Sequence, residues 1–174
     1  MRLSRNIILS LKDYFEDKLD AEGYDFTFTS SWNEDDKIVL PKDYVANSGM
    51  IKIPAGKITL LNESLNKAFE IGGKSRYFLY YGNVFVHAET EGQLYDLLDL
   101  FMDALTKDSS GYYGNIKIDI YDFSSTGYPS GNAPVIGYLE IENARKTPNI
   151  DLSQQNVALK FGGMVGFSFT VLKG

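Results

Sequence analysis

The 174-residue chain has no cysteine, one histidine and one tryptophan. Without cysteine there can be no disulfide, zinc-thiolate site or thiol nucleophile. With His87 as the only imidazole, any Ser-His-Asp arrangement would have to run through that residue. A transition-metal site would lack a second imidazole. His87 closes an aromatic run, so a hydrogen-bonded strand-end side chain is its simpler role. Cationic excess is also missing: 17 Lys and Arg face 23 Asp and Glu, giving a net charge of −6 and a pI near 4.8. Nucleic-acid binders need clustered Lys and Arg, so this balance argues against one. No apolar run approaches the roughly 18–20 residues that span a bilayer. The apolar patch near the start is broken by Lys12 and Asp13, and no small-residue cleavage site follows it.

What is present is globular: 44% hydrophobic and 14% aromatic residues, too apolar for a disordered chain. The length suits one domain over residues 1–174. Ile7, Ile8, Leu11, Phe15 and Leu19 form a helix stripe with Lys12, Asp13, Glu16 and Asp17 on the wet face, which predicts a helix over 4–20 stopped near Gly23. Tyr24, Phe26 and Phe28 alternate as a strand does. Residues 30–56 hold Trp32, an acidic run (Glu34, Asp35, Asp36), Pro41 and Pro54 without clear period, and read as an extended loop or arm. Ile58 and Leu60 suggest a strand over 57–61. Residues 77–88 read as one long strand with a bulge at Gly82-Asn83, a hairpin being the alternative. Thr90 and Gln93 form a capping box before Leu94, Leu97, Leu98, Phe101, Met102 and Leu105, the strongest helix pattern in the chain. Strand alternation returns at Ile116–Tyr121, at Val135–Asn143 and in two runs, 157–161 and 165–171, joined by a bulge or corner at Gly162-Gly163.

Two helices cannot cover both faces of so many strands. The expected fold is an α+β two-layer sandwich, a mostly antiparallel or mixed sheet with two helices packed on one face. Such a sheet leaves a face and an edge open to a partner.

Chemical motifs are few. Gly73-Lys74-Ser75 matches the end of a phosphate-binding loop, but position 68 is Ala and a strand, not a helix, follows. Asp96, Asp99 and Asp103 fall on the polar face of the second helix, a solvated acidic surface. Asp119 and Asp122 alternate across their strand and do not converge as paired acid and base. No catalytic residue, metal ligand or cofactor site is assigned. Tyr112, Tyr113, Tyr128 and Trp32 sit in loop contexts, where large aromatics suit protein interfaces.

Several segments together resemble a known family. They are Phe69-Glu70-Ile71-Gly72-Gly73, Tyr77–Ala88, Glu89–Gln93 leading into Leu94–Asp99, Ile118–Phe123 and Gly137–Asn143. This pattern, covering about residues 57–145, resembles the tail terminator (tail-completion, head–tail joining) proteins of long-tailed bacteriophages; the arm at 30–56 departs from it. The resemblance implies a virion structural protein, not an enzyme, whose copies form a hexameric ring on the end of the tail tube. Its partners would be itself, the tail tube protein and the head connector of the neck. DNA would pass through the lumen without specific binding, and no membrane would be involved. Assembly would take place in the host cytoplasm, with the product located in the virion neck. Candidate subunit or tube contacts are Trp32, Phe69, Glu70, Arg76, Tyr112, Tyr113 and Tyr128. Asp96 and Asp99 are candidate lumen charges, and the arm is expected to touch the neighbouring subunit. The alternatives are another neck ring protein (a head-completion adaptor or sheath terminator) or a small ligand-binding domain.

Overall fold

The structure is a computed structural model that describes residues 3–29, 38–39, 43–46, 50–68, 76–123, 133–148 and 161–173; of these, 38–39, 62–68, 76–78 and 173 are described in backbone only. Helix α1 (Leu3–Ala21) buries Ile7, Leu11, Phe15 and Leu19. It ends where Gly23 takes φ 76° and the N–H of Tyr24 donates to the Leu19 carbonyl (3.0 Å). Glycine adopts this left-handed geometry without a side-chain clash. Helix α2 (Glu91–Thr106) begins as its sequence dictates. The N–H of Gln93 donates to Thr90 Oγ1 (3.1 Å), and Gln93 Oε1 accepts the N–H of Glu89 (2.8 Å).

The strands are β1 (Thr27–Phe28), β2 (Ile38–Val39), β3 (Ile51–Lys52), β4 (Ala55–Ala68), β5 (Arg76–Ala88), β6 (Lys117–Tyr121), β7 (Val135–Thr147) and β8 (Phe161–Lys173). Six form a mixed sheet in the order β1-β4-β5-β8-β7-β6, in which only β1 and β4 run parallel. Strands β2 and β3 make a separate two-residue parallel pair. The fold is α+β, with both helices packed against one face of a curled sheet. Helix α2 lies over β5, β8 and β7, while α1 reaches both β4 and β6. One core results, in which Leu94, Leu97, Leu98 and Phe101 meet Val84, Val86, Leu139, Val165 and Phe169. Burying each such side chain fully is worth about 1.5–3 kcal/mol.

The structure differs from the sequence pattern in four places. Strand β4 spans Ala55–Ala68, well beyond the expected 57–61, because it pairs with β5 from Ala55↔His87 to Ala68↔Arg76. Strand β5 is unbroken, in register with β8 from Phe78↔Val171 to Ala88↔Phe161. The irregularity lies on β4, between Leu60 and Asn62, where the extra residue Leu61 is 63% exposed. Gly82 has a packing role instead, because a Cβ there would stand 3.0 Å from the ring of Phe167. Gly162-Gly163 likewise makes no corner: both lie inside β8, and a Cβ at Gly163 would meet Leu98 Cδ1 at 2.9 Å. Residues 157–160 lie outside those described. Finally, the Tyr24–Thr29 run has only two strand residues. Phe26, just outside β1, and Phe28, within it, turn their rings toward Phe15 and Phe101, with ring centroids 4.9–6.5 Å apart. Aromatic pairs of this kind contribute about 0.5–1.5 kcal/mol beyond area burial. Of the arm, residues 38–39, 43–46 and 50–56 are described, with Ile53 buried at 1% exposure.

Candidate interaction surfaces

Three concave regions surround α1. The first, about 590 Å³, lies between the C-terminal half of α1 and the polar face of α2, with Lys18, Glu22, Tyr24, Asp96, Asp99 and Asp103 on its walls. Asp99 is ion-paired with Lys146 of β7, and Asp103 with Lys107 at 2.8 Å. The lumen candidate Asp99 is therefore partly neutralised, while Asp96 and Glu22, behind burial itself, hold the Tyr24 hydroxyl above its usual pKa.

Beside this groove, residues 107–114 fold into a short tip. Lys107 and Tyr113 form a β-bridge. Asp108 Oδ1 accepts the N–H groups of Ser110 (2.9 Å) and Tyr112 (3.0 Å), and Gly111 takes φ 79° to complete the bend. Tyr112 and Tyr113 are thereby presented 74% and 78% exposed, with Lys107 Nζ 5.2 Å from the Tyr113 ring centroid.

The second region, about 620 Å³, separates the N-terminal half of α1 from the β1–β4 edge. Ile8, Leu9, Phe28 and Ile58 line it, and Arg5 and Lys12 stand beside them. This is within the size range of ordinary binding clefts. The third is a slot of about 210 Å³ between α1 and β6, where Asp13, Asp17 and Asp119 converge on Tyr121. Burial and then the Asp17 and Glu16 carboxylates push Asp13 upward, against the pull of Lys12. Burial, then Asp119, Asp13 and Asp17, raise the Tyr121 hydroxyl in the same way. The sequence pattern puts Asp13 and Asp17 on the wet face. Only the third dimension brings Asp119 to them.

Of the sequence candidates, Tyr112 and Tyr113 form the exposed tip and Asp96 and Asp99 line the first groove. Arg76 opens β5 opposite Ala68, described in backbone only. Trp32, Phe69, Glu70 and Tyr128 lie outside the described residues, as does Gly73-Lys74-Ser75. The second groove had no motif to announce it; its only trace in the sequence is that Ile8 and Leu9 widen the apolar stripe beyond Ile7 and Leu11.

His87 is 1% exposed on the sheet face away from the helices, and burial lowers its pKa to about 4. At neutral pH it is an uncharged internal side chain. Among the described residues, no group of three or more His, Asp or Glu side chains could hold a metal ion. No helix among them is long and apolar enough to cross a membrane.

No protein-family model matches this sequence, and no curated protein does. One similar solved structure is the prolyl-tRNA synthetase from Cryptosporidium parvum complexed with L-proline and AMP. The two are 10% identical, with a TM-score of 0.27, and the match covers 97% of this chain and 45% of that one. A likeness of this size carries no inference about fold or activity.

Proposed function

We propose that this chain is a phage virion structural protein, a tail terminator. In this reading its copies close into a ring that caps the tail tube and offers its far side to the head connector. It works in the virion neck, without catalysis, and DNA passes through the ring unbound. The observation that carries the reading is the block of resembling segments within residues 57–145, of which 77–88, 89–99, 118–123 and 137–143 fall on or beside β5, α2, β6 and β7, while Phe69–Gly73 lies outside the described residues. The exposed tyrosine tip and the grooves beside α1 support it, since ring closure needs two different surfaces on each subunit.

Negative-stain imaging of the purified chain, alone and with tail tubes over a concentration series, tests this. Rings, or caps that stop tube growth, are expected. A strict monomer that leaves tubes growing overturns the reading. Attachment to purified connectors or contractile sheaths instead of tubes transfers the chain to the second reading, a head-completion adaptor or sheath terminator.

A further inference from the structure

Two surface features near opposite ends of α1 match each other. One is convex: the Tyr112–Tyr113 tip, held in shape by Asp108, by the Lys107–Tyr113 bridge and by the Gly114 N–H on the Thr106 carbonyl (3.1 Å). Because the loop is already ordered, burying the two rings costs little conformational entropy, and tyrosines so presented suit the centre of an interface. The other is concave: the groove of about 620 Å³ formed by Arg5, Ile8, Leu9, Lys12, Phe28 and Ile58. Its walls are aliphatic and aromatic, its ends cationic.

The charges around the two features are opposite. The tip rises beside Glu22, Asp96, Asp99, Asp103 and Asp108, which outnumber Lys18 and Lys107 on the same walls even though Asp99 and Asp103 are ion-paired. The groove has Arg5 and Lys12, the latter shared with Glu16 at 3.5 Å, and the Arg5 guanidinium can lie over a tyrosine face. Within one molecule the two features cannot meet. The Arg5–Lys12 stretch lies ~17 Å along the α1 axis from the Lys18–Glu22 stretch beside the tip, at 1.5 Å per residue.

We propose that the Tyr112–Tyr113 tip of one copy seats in the Arg5–Lys12 groove of the next, so that copies associate head to tail. The contact is heterologous, using different surfaces on the two partners, and such contacts close into rings when the rotation permits. The inference deepens the ring reading above and rests on it. Because opposite charges face each other, association weakens as salt rises.

The test uses the full chain in sedimentation velocity over a concentration series, with near-ultraviolet circular dichroism to verify folding. The tip variant Tyr112→Ser/Tyr113→Ser and the groove variant Leu9→Lys should each associate at least tenfold more weakly than the unaltered chain. Arg5→Glu, a substitution at an exposed position, serves for the groove if Leu9→Lys does not fold. Mixed together, a tip variant with an intact groove and a groove variant with an intact tip should form a 1:1 pair and nothing larger. Unchanged association of either variant, failure of the mixed pair, or an unaltered chain that stays monomeric overturns the proposal. Tube capping is scored separately. Rings built through another surface that still cap tubes defeat this contact and leave the tail reading standing. Head-to-tail assemblies that ignore tubes do the reverse.

Discussion

Ser10 Oγ on α1 accepts the backbone N–H of Tyr121 on β6 at 3.0 Å, across 111 residues of sequence. One turn earlier on the same helix, Asn6 Oδ1 accepts the N–H of Phe123 (3.3 Å) and its amide donates to Asp122 Oδ1 (3.2 Å). Both side chains are buried, at 1% and 3% exposure, on a helix otherwise packed by aliphatic and aromatic groups. They close part of the sheet edge, where unpaired backbone groups would otherwise invite a foreign strand.

Removing these caps should therefore destabilise the fold and expose the edge. Ser10→Ala and Asn6→Ala are each expected to lower unfolding free energy by about 1–3 kcal/mol, because a buried donor loses its acceptor. Urea titration measures the loss. Thioflavin binding after long incubation should rise more for these variants than for an equally destabilised core variant such as Ile7→Val. Equal behaviour would mean that the two side chains only fill space.

Two glycines should rank clearly. A Cβ at Gly56 would stand 2.5 Å from both the Phe26 ring and the Phe85 carbonyl oxygen, and the backbone cannot give way cheaply. At Gly163 the nearest atom is a leucine methyl at 2.9 Å, which can move. Gly56→Ala should cost more than Gly163→Ala, with the latter at about 1–2 kcal/mol, within the usual cost of overpacking. Thermal melts decide the order.

His87 gives the fold an acid sensitivity of known sign. Its pKa is lowered from 6.5 to about 4 in the folded chain, so between those values the unfolded chain binds the extra proton. Stability from this group is fully present above pH 6.5 and is lost as pH falls toward 4, by about 3 kcal/mol at the lower limit. Urea unfolding at pH 7, 5.5 and 4 on the native chain and on His87→Asn isolates the effect. The variant should lose the histidine part of the slope; identical slopes would show that His87 does not drive it.

If Asp96 and Asp99 line a DNA passage, reversing their charge should make its wall sticky. Phage carrying Asp96→Lys/Asp99→Lys should release DNA measurably more slowly from the tails they complete, and, because these carboxylates also surround the Tyr112–Tyr113 tip, should complete fewer tails. Normal ejection by these phage removes both residues from the lumen.

Much of the fold can be read locally. Thr90 and Gln93 announce α2, and the i, i+2 spacing of Ile118 and Ile120 and of Leu139 and Ile141 assigns the inward face of β6 and β7. These signals work because caps and periodicities are short-range. What escapes such a reading depends on partners remote in sequence. Gly82 and Gly163 look like breaks, yet each is small because Phe167 or Leu98 packs against it. Asn6 and Ser10 look like ordinary polar helix residues until β6 arrives beside them. The candidate site is legible only in part. Gly111-Tyr112-Tyr113-Gly114 marks an aromatic loop, whereas the Arg5–Lys12 groove requires β1 and β4 as its opposite wall.

The bonds between α1 and residues 121–123 also govern the order of events during synthesis. The first helix leaves the ribosome more than a hundred residues before the strand that its Asn6 and Ser10 cap. Until then Ile7, Leu11 and Phe15 have only part of their eventual covering, and the stripe remains available to chaperones. Folding of this chain is thus a late event: a nascent chain stalled before residue 117 should remain protease-sensitive in α1, and protection should appear only once β6 has emerged. The residues of α1, made long before their partners at 121–123, are among the last to be secured.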